Sequence, residues 1–100
     1  GANTKVRLND STMHHNGMNG LSADNHAVVD LHGTKTDIHS NNNNGIRASD
    51  NAKVNIHLHS QHNTSHDNVG GDRNQAAGVP GLTAGGSIAN INADGTFTHT

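Results

Sequence analysis

Ten histidines in a chain with one aromatic residue and no cysteine are the side chains most able to do chemistry. Their spacing is regular. His14, His39 and His66 recur at steps of 25 and 27 residues, His32 and His57 lie 25 apart, and His59 falls two beyond His57. Imidazoles at i and i+2 of one strand, or on neighbouring strands, are close enough to share a zinc or copper ion. His32, His57, His59 and His62 are the set expected to do so if a metal is bound. A closed zinc site wants four ligands and hydrogen-bonded neighbours to orient them, and a flat strand face offers neither. Polar surface is the plainer reading, and no cofactor is expected. Unperturbed imidazoles titrate near pH ~6.5, so a stack of them is expected to repel once protonated. Stability should then fall between roughly pH 7 and pH 5.

Acid–base catalysis needs paired carboxylates on one face. All eight acids are aspartates. Asp24 and Asp50 fall near equivalent turns, and Asp30 and Asp37 flank a histidine, but no strand face carries two acids. Asp67, Asp72 and Arg73 gather at the mouth of a glycine-rich stretch and are the candidate binding residues. Phe97 is the only aromatic, so platforms for stacking sugars are missing. Catalysis is not the expected role. Six scattered basic residues give no nucleic-acid footprint, and no apolar run approaches the ~20 residues of a membrane span. Two sequons, Asn9-Asp10-Ser11 and Asn63-Thr64-Ser65, are no more than chance supplies in so asparagine-rich a chain.

The elements that position these residues repeat. Gly20, Leu21, Ala23, Ala27, Val29 and Leu31 match Gly45, Ile46, Ala48, Ala52, Val54 and Ile56 at a spacing of 25. Self-similarity at this period signals a stack of equivalent units, which lets a chain poor in large apolar residues bury them against the next unit. Thr4-Lys5-Val6-Arg7-Leu8 matches Ala27 to Leu31 and Ala52 to Ile56, and its strict alternation reads as a strand with Thr4, Val6 and Leu8 inward. A second short strand is expected at His14, His39 and His66, and a third at Leu21 and Ile46, with Ile88 continuing that third column. Asparagine, the commonest residue, and glycine supply the turns between them. Outward columns stack ~4.8 Å apart, placing Arg7, Asp30 and Asn55 in one file and Asn9, His32 and His57 in another. The run Asn41 to Asn44 reads as an ordered bend.

Residues 69–86 are glycine-rich and hold the only proline, so a loop without regular structure is expected there. The repeat resumes at Ser87 to Ile91, and 92–100, with Phe97, is expected to cap the stack. The Asn-Gly-aliphatic turns (Asn19-Gly20-Leu21, Asn44-Gly45-Ile46) and Ala-x-Val-x-aliphatic strands resemble those of right-handed parallel β-helix repeat proteins, the broad superfamily of pectate lyases, tailspikes and many surface proteins. The resemblance covers about residues 3–68 and 87–98 and implies a fold without implying a reaction. The expected architecture is all-β: one short right-handed parallel β-helix, or solenoid, with coils at about 3–26, 27–51 and 52–91. Enzymes on this fold use clustered aspartates, often with calcium and a basic residue, which this chain does not show on one face.

The expected role is a non-catalytic structural or adhesive module of a surface, virion or fibre assembly. Its expected partners are second copies or neighbouring β-helix segments, met through the coil ends. Gly1-Ala2-Asn3 can hardly cover Val6 and Leu8, so the N-terminal end is expected to be the more open one. A carbohydrate-binding or carbohydrate-cleaving β-helix and a histidine-ladder binder of zinc or copper are the alternatives.

Overall fold

The computed structural model describes residues 4–58, 62–75 and 85–91. The described residues form ten strands and no helix: β1 (Lys5–Asn9), β2 (Thr12–His14), β3 (Leu21–Ala23), β4 (Val28–His32), β5 (Asp37–His39), β6 (Asn44–Ala48), β7 (Lys53–Ile56), β8 (Ser65–His66), β9 (Gly71–Asn74) and β10 (Ser87–Asn90). Successive strands fall in different sheets, so the chain visits three sheets in rotation. Their orders are β1-β4-β7-β10, β2-β5-β8 and β3-β6-β9. Every pairing between named strands is parallel.

The register follows the repeat in the sequence. Val6 pairs with Val29, Arg7 with Asp30 and Leu8 with Leu31; Val29 and Leu31 pair in turn with Val54 and Ile56. Alternation sends the β-branched and aliphatic residues to one side, and the layers above and below cover them. Leu31, Ile38, Ile46, Val54 and Ile56 are fully buried in one continuous core. Each contributes about 1.5–3 kcal/mol by leaving water.

Two sequence expectations are corrected. Ile88 pairs with Val54 in the first sheet and does not continue the Leu21–Ile46 column. That column continues instead through Arg73, which pairs with Ile46 from β9. Consequently the stretch expected to be structureless between 69 and 86 contains a strand, Gly71–Asn74. Both differences have one cause: in β8, β9 and β10 polar residues take up positions that are apolar in the strands they pair with. Ser65 follows Met13 and Ile38, Arg73 follows Leu21 and Ile46, and Asn90 pairs with Ile56. Periodicity of hydrophobic residues cannot see such strands. The expected cap at 92–100 and its Phe97 lie outside the described residues.

Tight turns join the sheets, and they account for the asparagine content. His15, Ser40 and Asp67 occupy equivalent positions with φ of 55°, 55° and 54°, the left-handed region where short polar side chains are best tolerated. Each is followed by an asparagine, and these three form a ladder through the stack. Asn41 Oδ1 accepts from Asn16 N (3.1 Å) and Asn16 Nδ2 (2.8 Å). Asn68 Oδ1 accepts in the same way from Asn41 N (3.0 Å) and Nδ2 (2.8 Å). The donors of Asn68 turn to the Asp72 carboxylate, N at 3.5 Å and Nδ2 at 3.2 Å. Asp72 thus takes the place of a fourth rung. A second file links Asn44 N to Asn19 Oδ1 (3.1 Å) and Asn74 Nδ2 to Asn44 Oδ1 (2.9 Å).

Candidate functional site

The parallel register of β2, β5 and β8 sets His14 over His39 and His39 over His66. The rings stack with centroids 5.2 Å and 5.3 Å apart and planes within 3° and 11° of parallel. In an extended strand the next side chain would point the opposite way. Here the left-handed residue after each histidine turns its side chain back onto the ring. His14 Nδ1 meets His15 Nδ1 at 2.6 Å, His39 Nδ1 meets Ser40 Oγ at 2.9 Å, and His66 Nδ1 meets Asp67 Oδ2 at 2.8 Å.

The lowest rung is electrostatically distinct. His66 Nε2 also bonds Asp37 Oδ1, at 2.7 Å, so a carboxylate accepts from each ring nitrogen. These hydrogen bonds, to Asp67 and then Asp37, outweigh burial and raise the His66 pKa above its ordinary value. Stability from a raised pKa is complete below the unfolded value near ~6.5 and is lost as pH climbs through the folded one. His66→Gln should therefore lower the urea midpoint most near pH 6 and progressively less toward pH 9. A gap that widens with rising pH would contradict the clamp. This rung works against the acid destabilisation expected of a uniform stack.

His32 behaves oppositely. It stacks on His57 with centroids 4.0 Å apart and planes 8° from parallel. Desolvation, with His57 and Arg7 nearby, lowers its pKa, so its contribution is lost on acidification. His57 Nε2 donates to Asp30 Oδ1 at 2.8 Å, and Asn55 Nδ2 donates to the same oxygen at 3.2 Å. Burial alone would raise the Asp30 pKa, but these bonds together hold it below the ordinary carboxylate value. His57 Nδ1 is buried and has no hydrogen-bond partner among the described residues.

Of the expected metal quartet, the structure brings His32 and His57 together as parallel plates. His62 sits apart from them in a surface hollow with Thr34, Lys35, Asp37 and His66. There its Nε2 donates to the Thr34 carbonyl (2.7 Å) and its Nδ1 meets Thr64 Oγ1 (2.7 Å). His59 lies outside the described residues. Among the described residues no three histidines or carboxylates are placed to hold one metal ion.

Asp67, Asp72 and Arg73 are each engaged by a different neighbour. Asp67 holds His66, Asp72 caps Asn68, and Arg73 Nη2 donates to Asn90 Oδ1 at 2.7 Å. Desolvation lowers the Arg73 pKa and Asp72 opposes that shift. Sequence reasoning passed over Asp37 as the second partner of His66, His15 as the partner of His14, and the buried asparagines. The recurring His-x-Asn triplet was the signal for the last two. Comparison with models of known protein families, with curated proteins and with solved structures finds no match for this chain.

Proposed function

We propose that this chain is a short right-handed parallel β-helix serving as a non-catalytic structural module, built into an assembly through one open end. Parallel crossovers between strands of one sheet are right-handed in ~98% of cases, and the rotation of the chain through three parallel sheets fits such a winding. The observation that carries the assembly role is the asymmetry of the two ends. Both ends of the stack carry edge strands, β1, β2 and β3 at one and β8, β9 and β10 at the other, and they differ in what covers the core. At the first end Val6 is 40% exposed while its column mates Val29 and Val54 are buried, and Leu8 is only partly covered. Asn16 Oδ1, equivalent to the acceptor used in each later rung, receives no bond from the described residues. At the other end Asp72, Arg73 and Asn90 close the core with polar contacts. An open parallel edge with an apolar residue is a template for further strands, and a second copy of the chain is the occupant we assign to it.

Light scattering across a concentration series tests this. The wild type is expected to gain mass with concentration up to a discrete dimer, because one open end per chain closes on a second copy and cannot propagate. Val6→Lys should return it to monomer with little change in melting temperature, since a 40% exposed side chain contributes little to the core. A wild type that stays monomeric at high concentration overturns the assembly role.

A further inference from the structure

We propose that His14 and His15 form a two-nitrogen chelate for a tetragonal divalent cation, with Cu(II) the best fit, independently of any assembly role. The argument begins with the pattern of three rungs. In the second and third rungs, the left-handed residue gives the preceding histidine a hydroxyl or a carboxylate, which settles Nδ1 by an ordinary hydrogen bond. In the first rung the same geometry delivers a second imidazole. Two Nδ1 atoms then face each other at 2.6 Å, with rings nearly perpendicular at 83°. Two neutral imidazoles can share one proton between these atoms. Chelation requires both Nδ1 atoms unprotonated, with the protons on Nε2, and a small rotation of the rings that turns each Nδ1 from its neighbour toward a shared ion.

The separation selects the ion. At metal–nitrogen distances of ~2.0–2.1 Å, nitrogens 2.6 Å apart subtend about 80° at the metal. That is near the cis angle of a square-planar or tetragonal centre, the geometry of Cu(II) and Ni(II). A tetrahedral zinc centre would need the nitrogens about 3.3 Å apart. Among divalent ions Cu(II) also binds nitrogen ligands most strongly.

The pair stands on fixed backbone before any ion arrives. His14 lies against the parallel ring of His39. The His15 backbone is fixed by its N–H to the Ser40 carbonyl (3.1 Å) and by the anchoring of Asn16 on Asn41. Both histidines are exposed, so water can complete the coordination.

Titrating the full chain with a Cu(II) salt at pH 7.4, followed by calorimetry and electron paramagnetic resonance, tests the assignment. The expected result is one tight Cu(II) per chain with a tetragonal, nitrogen-ligated spectrum. Zn(II) should bind at least tenfold more weakly. His14→Gln and His15→Asn should each weaken it at least tenfold, while His26→Gln leaves it unchanged. Asparagine at 15 tolerates the left-handed backbone, so that variant keeps the turn. Unchanged Cu(II) affinity in folded His15→Asn, or a preference for Zn(II), overturns the site.

Discussion

Replacing Asn41 by alanine is expected to remove about 3–4 kcal/mol of stability, a large share of the ~5–15 kcal/mol that holds an ordinary domain together. Asn41 is fully buried at the middle rung of the ladder. Its side chain accepts from Asn16 N and Nδ2 and donates to Asn68 Oδ1 and to the Met13 carbonyl. A typical hydrogen bond contributes about 0.5–1.5 kcal/mol net, and a buried partner left unpaired costs about 1–3 kcal/mol. Four interactions disappear together, and the truncation opens a hole between layers. Asn42→Ala is the control: Asn42 is exposed, and its one side-chain bond among the described residues, to the Gly17 carbonyl, is 3.3 Å long. That change should stay within ~0.5 kcal/mol. Urea unfolding with an unchanged slope gives both numbers. A loss below about 1 kcal/mol for Asn41→Ala would mean that the ladder does not bind the layers together.

The asparagine ladder also marks what a sequence can and cannot show. Columns of apolar residues were legible because Val29, Leu31, Ile46, Val54 and Ile56 alternate with polar residues at a constant period. The outward file Arg7–Asp30–Asn55 was legible for the same reason. Asn41 recurs in step with Asn16 and Asn68, each two residues after a histidine of the column, yet an asparagine reads as turn surface whether it faces water or core. Its burial depends on partners 25 and 27 residues away. β9 was hidden by Arg73, whose column mate Ile46 is aliphatic, and by the glycines around it. The histidine columns were legible as columns. The raised pKa of His66 was not, because it turns on Asp67 following the ring and on Asp37 reaching it from the neighbouring layer.

Gly45→Ala is expected to be nearly as damaging, at about 3 kcal/mol, although it adds a single methyl group. Gly45 is a buried residue of β6, and it faces the turn between β8 and β9. A Cβ there would overlap Ser65 Oγ, lie 2.5 Å from Asn68 Nδ2 and stand 2.8 Å from the Asp72 carbonyl oxygen. The serine can rotate, but only by giving up its 2.8 Å bond to that carbonyl. The backbone of Asp72 cannot move without pulling its carboxylate from Asn68, the last rung of the ladder. Overpacking of this kind costs about 1–3 kcal/mol, and the broken contacts add to it. Gly20, the same position one layer earlier, is crowded in the same way by Asn41 Nδ2 and Ile38 Cγ2, each at 2.6 Å. The repeated glycines therefore exist to let one layer lie on the next. Gly17 is the contrast, since a Cβ there meets nothing within 4 Å. Gly17→Ala should be neutral or should stabilise by up to about 1 kcal/mol through the unfolded chain. Equal melting temperatures for the two alanine variants would show that β8 and β9 do not pack onto β6 as closely as the glycine requires.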